Sequence, residues 1–205
     1  MNDKIKTKIN SRYEKEINSE NMGCANLTTF YDFKPDSYIL DLGCGNGNGT
    51  FRLRKSINES GFIYGLDLTE KMITKAKANN TFDNVDFIKG DIHSLPFNKN
   101  YFNAIISNCV INHSLNKKQV FSEIYRVLKP GGYFLIGDVM AVEELPESVH
   151  NDPKAIADCY GGAILKTKYI NTVNQLGFKN VQELSSRQYY KNGFLLESII
   201  LKGVK

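Results

Sequence analysis

Asp41-Leu42-Gly43-Cys44-Gly45-Asn46-Gly47 joins a short apolar run, Tyr38 to Leu42, to a segment carrying Phe51, Leu53 and Ile57. The first run reads as a strand and the second as a helix, with a glycine-rich turn between them. Glycines let the backbone pass close to a ligand and take positive φ. The amino end of the following helix favours a carboxylate or a phosphate. A dinucleotide site shows Gly-x-Gly-x-x-Gly. Here the glycines alternate at 43, 45, 47 and 49, and Asp41 precedes them by two. A carboxylate there repels a pyrophosphate and suits the ammonium of a methionine moiety, directly or through water. Taken alone, the loop is also compatible with a turn that binds nothing.

Outward from this loop, strand and helix patterns alternate. Towards the amino terminus, Ile5, Ile9, Tyr13 and Ile17 recur every four residues and predict an amphipathic helix, followed by a less regular stretch from Cys24 to Pro35. Towards the carboxyl terminus, strands are expected at Phe62 to Asp67, Val85 to Ile88, Ala104 to Ser107 and Tyr133 to Asp138. Thr69 caps a helix with Met72, Ile73 and Ala76 on its apolar face. Val120, Phe121, Ile124, Val127 and Leu128 define a helix from about Lys117 to Leu128, which Pro130-Gly131-Gly132 ends. A polar segment, expected to be mobile, precedes a last helix with Tyr169, Val173 and Leu176, closed by Gly177. Two strands, near Val181 to Leu184 and Leu195 to Leu201, finish the chain. Alternation at this spacing predicts an α/β fold, a mostly parallel sheet with helices on both faces. Ligands in such sheets bind at the carboxyl ends of the strands.

The 205 residues suit one domain: an N-terminal helix and lid segment (1–35), a cofactor-binding core (36–140), and a substrate-side segment with the closing strands (141–205). Hydrophobic residues at 41% and charged residues at 23% are ordinary for a soluble protein. The net charge of +4 is spread along the chain, which points away from nucleic acid. No long apolar run or signal-like amino terminus is present, so no membrane association and a cytoplasmic location are expected. Cys24, Cys44, Cys109 and Cys159 lack Cys-x-x-Cys spacing. They suggest neither a metal site nor a disulfide framework, and are expected as free thiols.

Two further acids fall at strand ends. Asp67 closes the second strand, where a carboxylate accepts from ribose hydroxyls. Asp91, in Lys89-Gly90-Asp91-Ile92, follows the third and can meet an adenine amino group. Three aspartates at the ends of three consecutive strands are poorly explained as surface carboxylates. With Arg126-Val127-Leu128-Lys129-Pro130-Gly131-Gly132, these motifs resemble those of class I methyltransferases over roughly residues 36 to 140. The resemblance implies a Rossmann-like fold with a seven-stranded, mostly parallel sheet whose last strand is antiparallel. It also implies S-adenosyl-L-methionine as cofactor. The expected cofactor-binding residues are Asp41, Gly43, Gly45, Gly47, Asp67, Leu68, Met72, Asp91, Ile92 and Asn108, with Tyr13 from the lid helix.

The acceptor is less legible. A hydroxyl or amine acceptor calls for a general base, and His113, just past the fourth strand, is the best placed. His93 can line the adenine side, and His150 lies in the polar segment. Cys24 and Cys159 lie in segments able to fold over the carboxyl edge of the sheet, although spacing alone favours two small buried thiols without a role. Ser107-Asn108-Cys109-Val110-Ile111-Asn112, Glu144-Leu145-Pro146-Glu147, Met22-Gly23-Cys24 and Cys159 followed by Gly161-Gly162-Ala163 closely resemble segments of arsenite methyltransferases. This resemblance implies that Cys24 and Cys159 hold trivalent arsenic as thiolates, with a cellular thiol as reductant. Two departures bear on the acceptor: Thr50 stands where many members have a cysteine, and the chain stops at Lys205, short of the region with which longer members continue. Two thiols suit a methylated arsenical and leave inorganic arsenite open. Cys109 reads as a wall of the cofactor pocket. The alternatives are an O-, N- or C-methyltransferase of the quinone-biosynthesis type, with His113 or water as base, and a non-catalytic cofactor-binding or thiol-metalloid sensor.

Overall fold

The alternating pattern folds into one seven-stranded sheet. The computed structural model describes residues 3–19 and 25–205. Its strands are β1 (Tyr38–Leu42), β2 (Phe62–Asp67), β3 (Val85–Lys89), β4 (Phe102–Asn108), β5 (Leu128–Ala141), β6 (Lys179–Lys191) and β7 (Phe194–Val204). Their order is β3-β2-β1-β4-β5-β7-β6. The first five pair in parallel, and β7 runs antiparallel to both β5 and β6. The order reverses at β1 and β4, the topological switch point at which such sheets bind ligands.

Period-two alternation sorts the strand residues into two layers. Leu40, Ile105 and Phe134 pack in one buried cluster, and their neighbours Ile39, Ala104 and Leu135 in another. On the first side lie α4 (Lys117–Val127) and α7 (Lys166–Gln175). Val120, Phe121, Ile124 and Val127 of α4 are fully buried, as the spacing predicts, each worth about 1.5–3 kcal/mol of transfer free energy. On the second side lie α2 (Asn48–Arg54) and α3 (Glu70–Ala78), which contributes Ile73 and Ala76. The N-terminal helix α1 (Asp3–Lys15) buries Ile5 and Ile9.

Three elements depart from the sequence expectation. The β5 strand begins at Leu128, and Pro130-Gly131-Gly132 lies within it as a register irregularity. The Gly131 amide donates to the Lys205 carbonyl and the Lys205 amide to that of Gly132, so pairing continues through the turn. The β6–β7 hairpin is roughly twice the expected length. Asn192 (φ 52) and Gly193 (φ 83) make its turn, a two-residue signal visible in the sequence. The polar segment after β5 forms α5 (Glu147–His150) and α6 (Pro153–Ala157). The Asp152 side chain caps α6 by accepting from the Lys154 amide, and Pro153 occupies the first turn. Ala155, Ile156 and Ala157 are buried, and Ile156 and Ala157 pack against Ile5 and Ile9.

Candidate active site

A cavity with about 620 Å3 of atom-free space opens above the carboxyl ends of β1, β2 and β4. Of the expected cofactor residues, Tyr13, Gly43, Gly45, Asp67, Leu68, Asp91, Ile92 and Asn108 line it. Ile9, Val110 and His113 complete the wall. Asp41, Gly47 and Met72 do not line it, and Met72 is fully buried in α3.

The glycine loop is shaped by close approach. Gly43 has φ +80, and a Cβ there would lie 2.2 Å from Val110 Cγ2. Asp67 supports the loop from β2: its Oδ2 accepts from the Gly45 amide at 3.0 Å and its Oδ1 from the Thr69 amide at 2.8 Å. Burial raises the Asp67 pKa, opposed by these hydrogen bonds. Asp41 lies behind the loop and accepts from the Thr50 hydroxyl at 2.6 Å. Burial pushes its carboxyl up to about 6 against that bond. Thr50 is therefore committed to a cofactor-side carboxylate. Asp91 faces two cationic or polar groups, Lys6 Nζ at 2.9 Å and His93 Nδ1 at 2.6 Å. Burial works to raise its pKa, but the His93 and Lys6 hydrogen bonds outweigh it and hold Asp91 well below the usual carboxylate range. His93 is itself fixed by Ser114 Oγ, 2.7 Å from Nε2.

Helix α1 covers the cavity. Besides the Lys6–Asp91 pair, Asn10 Oδ1 accepts from the Thr69 hydroxyl at 3.1 Å. After the helix, the Ile17 and Ser19 carbonyls accept from Asn46 Nδ2 of the glycine loop, at 2.9 and 3.1 Å. The expected lid helix thus lies over the site with Ile9 and Tyr13 in its wall.

On the β4–β5 side a second group converges. Cys159 directly follows α6 and its C-cap residue Asp158, and is buried. Its Sγ donates to the Cys109 carbonyl at 3.3 Å and lies 3.6 Å from His113 Nε2 and 3.9 Å from the Tyr13 hydroxyl. Tyr13 OH is 2.9 Å from the same Nε2, and His113 Nδ1 is 2.9 Å from the Ile156 carbonyl. Burial disfavours the thiolate, but the His113 imidazole outweighs it and the Cys159 pKa falls; burial likewise disfavours the imidazolium, and Cys159 reverses that. Cys109 and Cys159 both hold left-handed backbones, φ 61 and φ 68. Such conformations cost a side-chain-bearing residue about 1–3 kcal/mol and cluster at functional sites.

The loop after Cys159 is held close to the turn at Ile111–His113. A Cβ on Gly162 would lie 1.8 Å from the Asn112 carbonyl. Lys117 Nζ donates to the Ser114 and Gly162 carbonyls at 3.0 and 2.6 Å. Burial brings this ammonium down to about 8, with Asp138 opposing. The Tyr169 hydroxyl donates to Asp138 Oδ2 at 3.2 Å, and burial lifts Asp138 to about 6.

Two cysteine expectations change. Cys109 is not a wall of the cofactor cavity. Its neighbours Asn108 and Val110 are, whereas Cys109 packs in a separate buried cluster with Val139, Cys159 and Ala163. It is also disulfide-bonded, while Cys44 and Cys159 are free thiols as expected. Cys24 lies outside the described residues. Sequence reasoning missed the proximity of Cys109 to Cys159, and the unremarkable Val110 of the wall, which carries no chemical signal.

The glycine loop, the strand-end carboxylates and the switch-point cavity together define an α/β protein with a built small-molecule site. A family model for the methyltransferase domain matches residues 33–183, and the chain belongs to that family. An arsenite methyltransferase from Halobacterium salinarum is 36% identical over 164 residues, 78% of this chain and 42% of that protein. A ubiquinone/menaquinone biosynthesis C-methyltransferase from Wigglesworthia glossinidia brevipalpis is 34% identical over 169 residues, 80% of this chain and 60% of that protein. Among solved structures, an arsenic(III) S-adenosylmethionine methyltransferase from Chlamydomonas reinhardtii superposes with a TM-score of 0.81 at 26% identity. That match covers 97% of this chain and 73% of the other. The chain spans less than half the length of the arsenite methyltransferase relatives it matches.

Proposed function

We propose that this protein methylates trivalent arsenic held by protein thiols, with S-adenosylmethionine as methyl donor. The observation that carries the reading is Cys159: a buried free thiol, its pKa lowered beside His113, with that histidine shared between it and the cofactor cavity. The likeness to arsenite methyltransferases supports the same acceptor.

The cofactor half suits the donor. Asp67 offers a half-buried carboxylate for ribose hydroxyls, Asp91 and Ile92 are the proposed neighbours of the adenine, and Asp41 stands behind the loop for the methionine ammonium. Gly43 and Gly45 admit the ligand past the backbone. When bound, S-adenosylmethionine supplies an electrophilic methyl, which the arsenic lone pair takes as S-adenosylhomocysteine leaves. The protein's contribution is then positioning. Cys24 and Cys159 are the proposed arsenic ligands; reduction of the Cys109 disulfide by a cellular thiol comes first, and each ligand then loses its thiol proton as an As–S bond forms. Cys109, whose carbonyl already touches Cys159, becomes available as a third ligand once a cellular thiol reduces its disulfide. A reductant is needed in any case, because gaining a methyl through its lone pair raises arsenic from the trivalent to the pentavalent level. Among the described residues no helix is long and apolar enough to cross a membrane.

A second reading is C-methylation of a quinone precursor. His113 in the cavity wall and the likeness to the Wigglesworthia enzyme favour it. Incubation with labelled S-adenosylmethionine, a thiol and either arsenite, methylarsenite or a demethylmenaquinone separates the two. Labelled methylarsenicals are the expected products. Label only in the quinone would transfer the assignment to the second reading.

A further inference from the structure

His113 is the meeting point of three parts of the molecule. Its Nδ1 lies 2.9 Å from the Ile156 carbonyl, which can only accept, so this nitrogen carries the hydrogen. Nε2 is then the atom turned to both Tyr13 OH at 2.9 Å and Cys159 Sγ at 3.6 Å. A neutral imidazole offers one lone pair there, and both neighbours are donors. In the shut arrangement the tyrosine holds the nitrogen and the thiol hydrogen is directed to the Cys109 carbonyl, 3.3 Å from the sulfur. Lifting α1 removes Tyr13 and returns Nε2 to the thiol. Helix α1 also grips the backbone beside Cys159, with Arg12 donating to the Ala157 carbonyl and pairing with Asp158 at 3.5 Å. On its other side it holds the cofactor half through Lys6–Asp91 and Asn10–Thr69.

We propose that His113 is a positioning residue that couples the two halves of the site: through Nε2 it reads whether Tyr13 is in place and sets the orientation of the Cys159 thiol accordingly. The acceptor sulfur takes its working arrangement only with α1 shut over the cofactor. The proposal rests on the reading of Cys159 as an acceptor ligand. It assigns Tyr13 a role on the acceptor side in addition to its place in the cavity wall. The edge-on packing of the Tyr13 and His113 rings, 5.6 Å between centroids and 84° between planes, keeps the two groups in register.

The test is peptide-resolved alkylation of Cys159 by iodoacetamide, with and without saturating S-adenosylhomocysteine, in the full chain. The ratio of the two rates measures the coupling. In the wild-type protein S-adenosylhomocysteine should slow labelling about tenfold, within the range of ordinary site-to-site coupling. Tyr13→Phe and His113→Leu should each reduce that ratio about fivefold, as expected for one lost hydrogen bond. The double variant should lose no more than either alone, because both act through one contact, and His113→Gln should restore part of the effect. A wild-type ratio near one, an unchanged ratio in Tyr13→Phe, or losses that multiply in the double variant would overturn the proposal. Tyr13→Phe keeps the ring and decides the matter even if His113→Leu folds poorly. The assay contains no arsenical. A wild-type protein that shows the coupling but methylates no arsenical defeats the functional reading alone; arsenical turnover without coupling defeats this one alone.

Discussion

The two halves of the site are built on different principles. The proposed cofactor half is made of consecutive strand ends: a glycine loop, then Asp67, then Asp91, each placed by the strand before it. Its shape comes from backbone, and its carboxylates are tied to neighbours close in sequence, Thr50 to Asp41, Thr69 to Asp67 and His93 to Asp91. The proposed acceptor half has no such local frame. Tyr13 comes from the lid, Cys109 and His113 from the turn after β4, and Cys159 from the end of α6, 146 positions from Tyr13. A nucleotide-like ligand is large and can be recognised by a continuous stretch of backbone. A single soft atom needs a few side chains converging on one point, and distant segments must supply them.

This contrast predicts that the halves can be damaged separately. The largest effect is expected from Cys159→Ser. A hydroxyl is a poor ligand for trivalent arsenic, so arsenical methylation should fall by at least about a hundredfold, the loss typical of a misplaced reactant. Calorimetric affinity for S-adenosylhomocysteine should stay close to that of the wild type. Loss of both together would show that the division is not real.

The converse change is Asp67→Ala. Removing a half-buried carboxylate that accepts two amide hydrogen bonds and faces the cavity should weaken S-adenosylhomocysteine by about 1.5–3 kcal/mol. Calorimetry checks it, and an unchanged affinity would take Asp67 out of the cofactor site.

Next in size is a pH effect carried by Asp41. Its folded-state pKa, about 6, lies above the ordinary carboxylate value because of burial. The carboxylate proposed to attract the methionine ammonium is therefore lost as pH falls through 6. S-adenosylmethionine affinity should drop about tenfold between pH 7.5 and pH 5, one decade per unit below the pKa. Asp41→Asn should bind weakly across the range with most of this dependence gone. A slope that survives the substitution would assign the titration elsewhere. For the free protein the sign is opposite. A raised folded pKa stabilises the fold at low pH, and that contribution is lost as pH rises from about 4 to about 6.

The smallest effect sharpens the comparison at its seam. Helix α1 buries only Ile5 and Ile9 and holds the rest of the site mainly through polar contacts, so it is suited to local opening. Its amide hydrogen exchange should slow about fivefold when S-adenosylhomocysteine binds, while amides of the β6–β7 hairpin stay unchanged. Equal exchange in free and bound protein would make α1 a structural helix and leave the halves uncoupled.

Much of this molecule is legible from its residues in order. The glycine loop, the apolar runs of β1 to β4 and the α4 stripe specify the sheet and its ligand-binding edge, because periodicity and glycine chemistry act over a few residues. The Asn192-Gly193 turn and the Asp152-Pro153 helix start were equally local signals, and they account for the two regions whose extent the pattern of apolar runs understated. Tertiary structure alone decided what gathers around Cys159. Residue type says that a cysteine binds soft atoms, but not which cysteines meet. Cys109 shares the strand-end pattern of its neighbours Asn108 and Val110, yet a left-handed backbone turns it away from the cavity they line and packs it against Cys159. That turn, the approach of Gly162 to Asn112 and the placing of Tyr13 over His113 depend on how α1 and α6 pack across the sheet edge. Packing of distant elements leaves no periodic trace in the chain, and so the glycine loop and the strand-end carboxylates that line the cavity could be read from the sequence, whereas the convergence of Tyr13, His113, Cys109 and Cys159 could not.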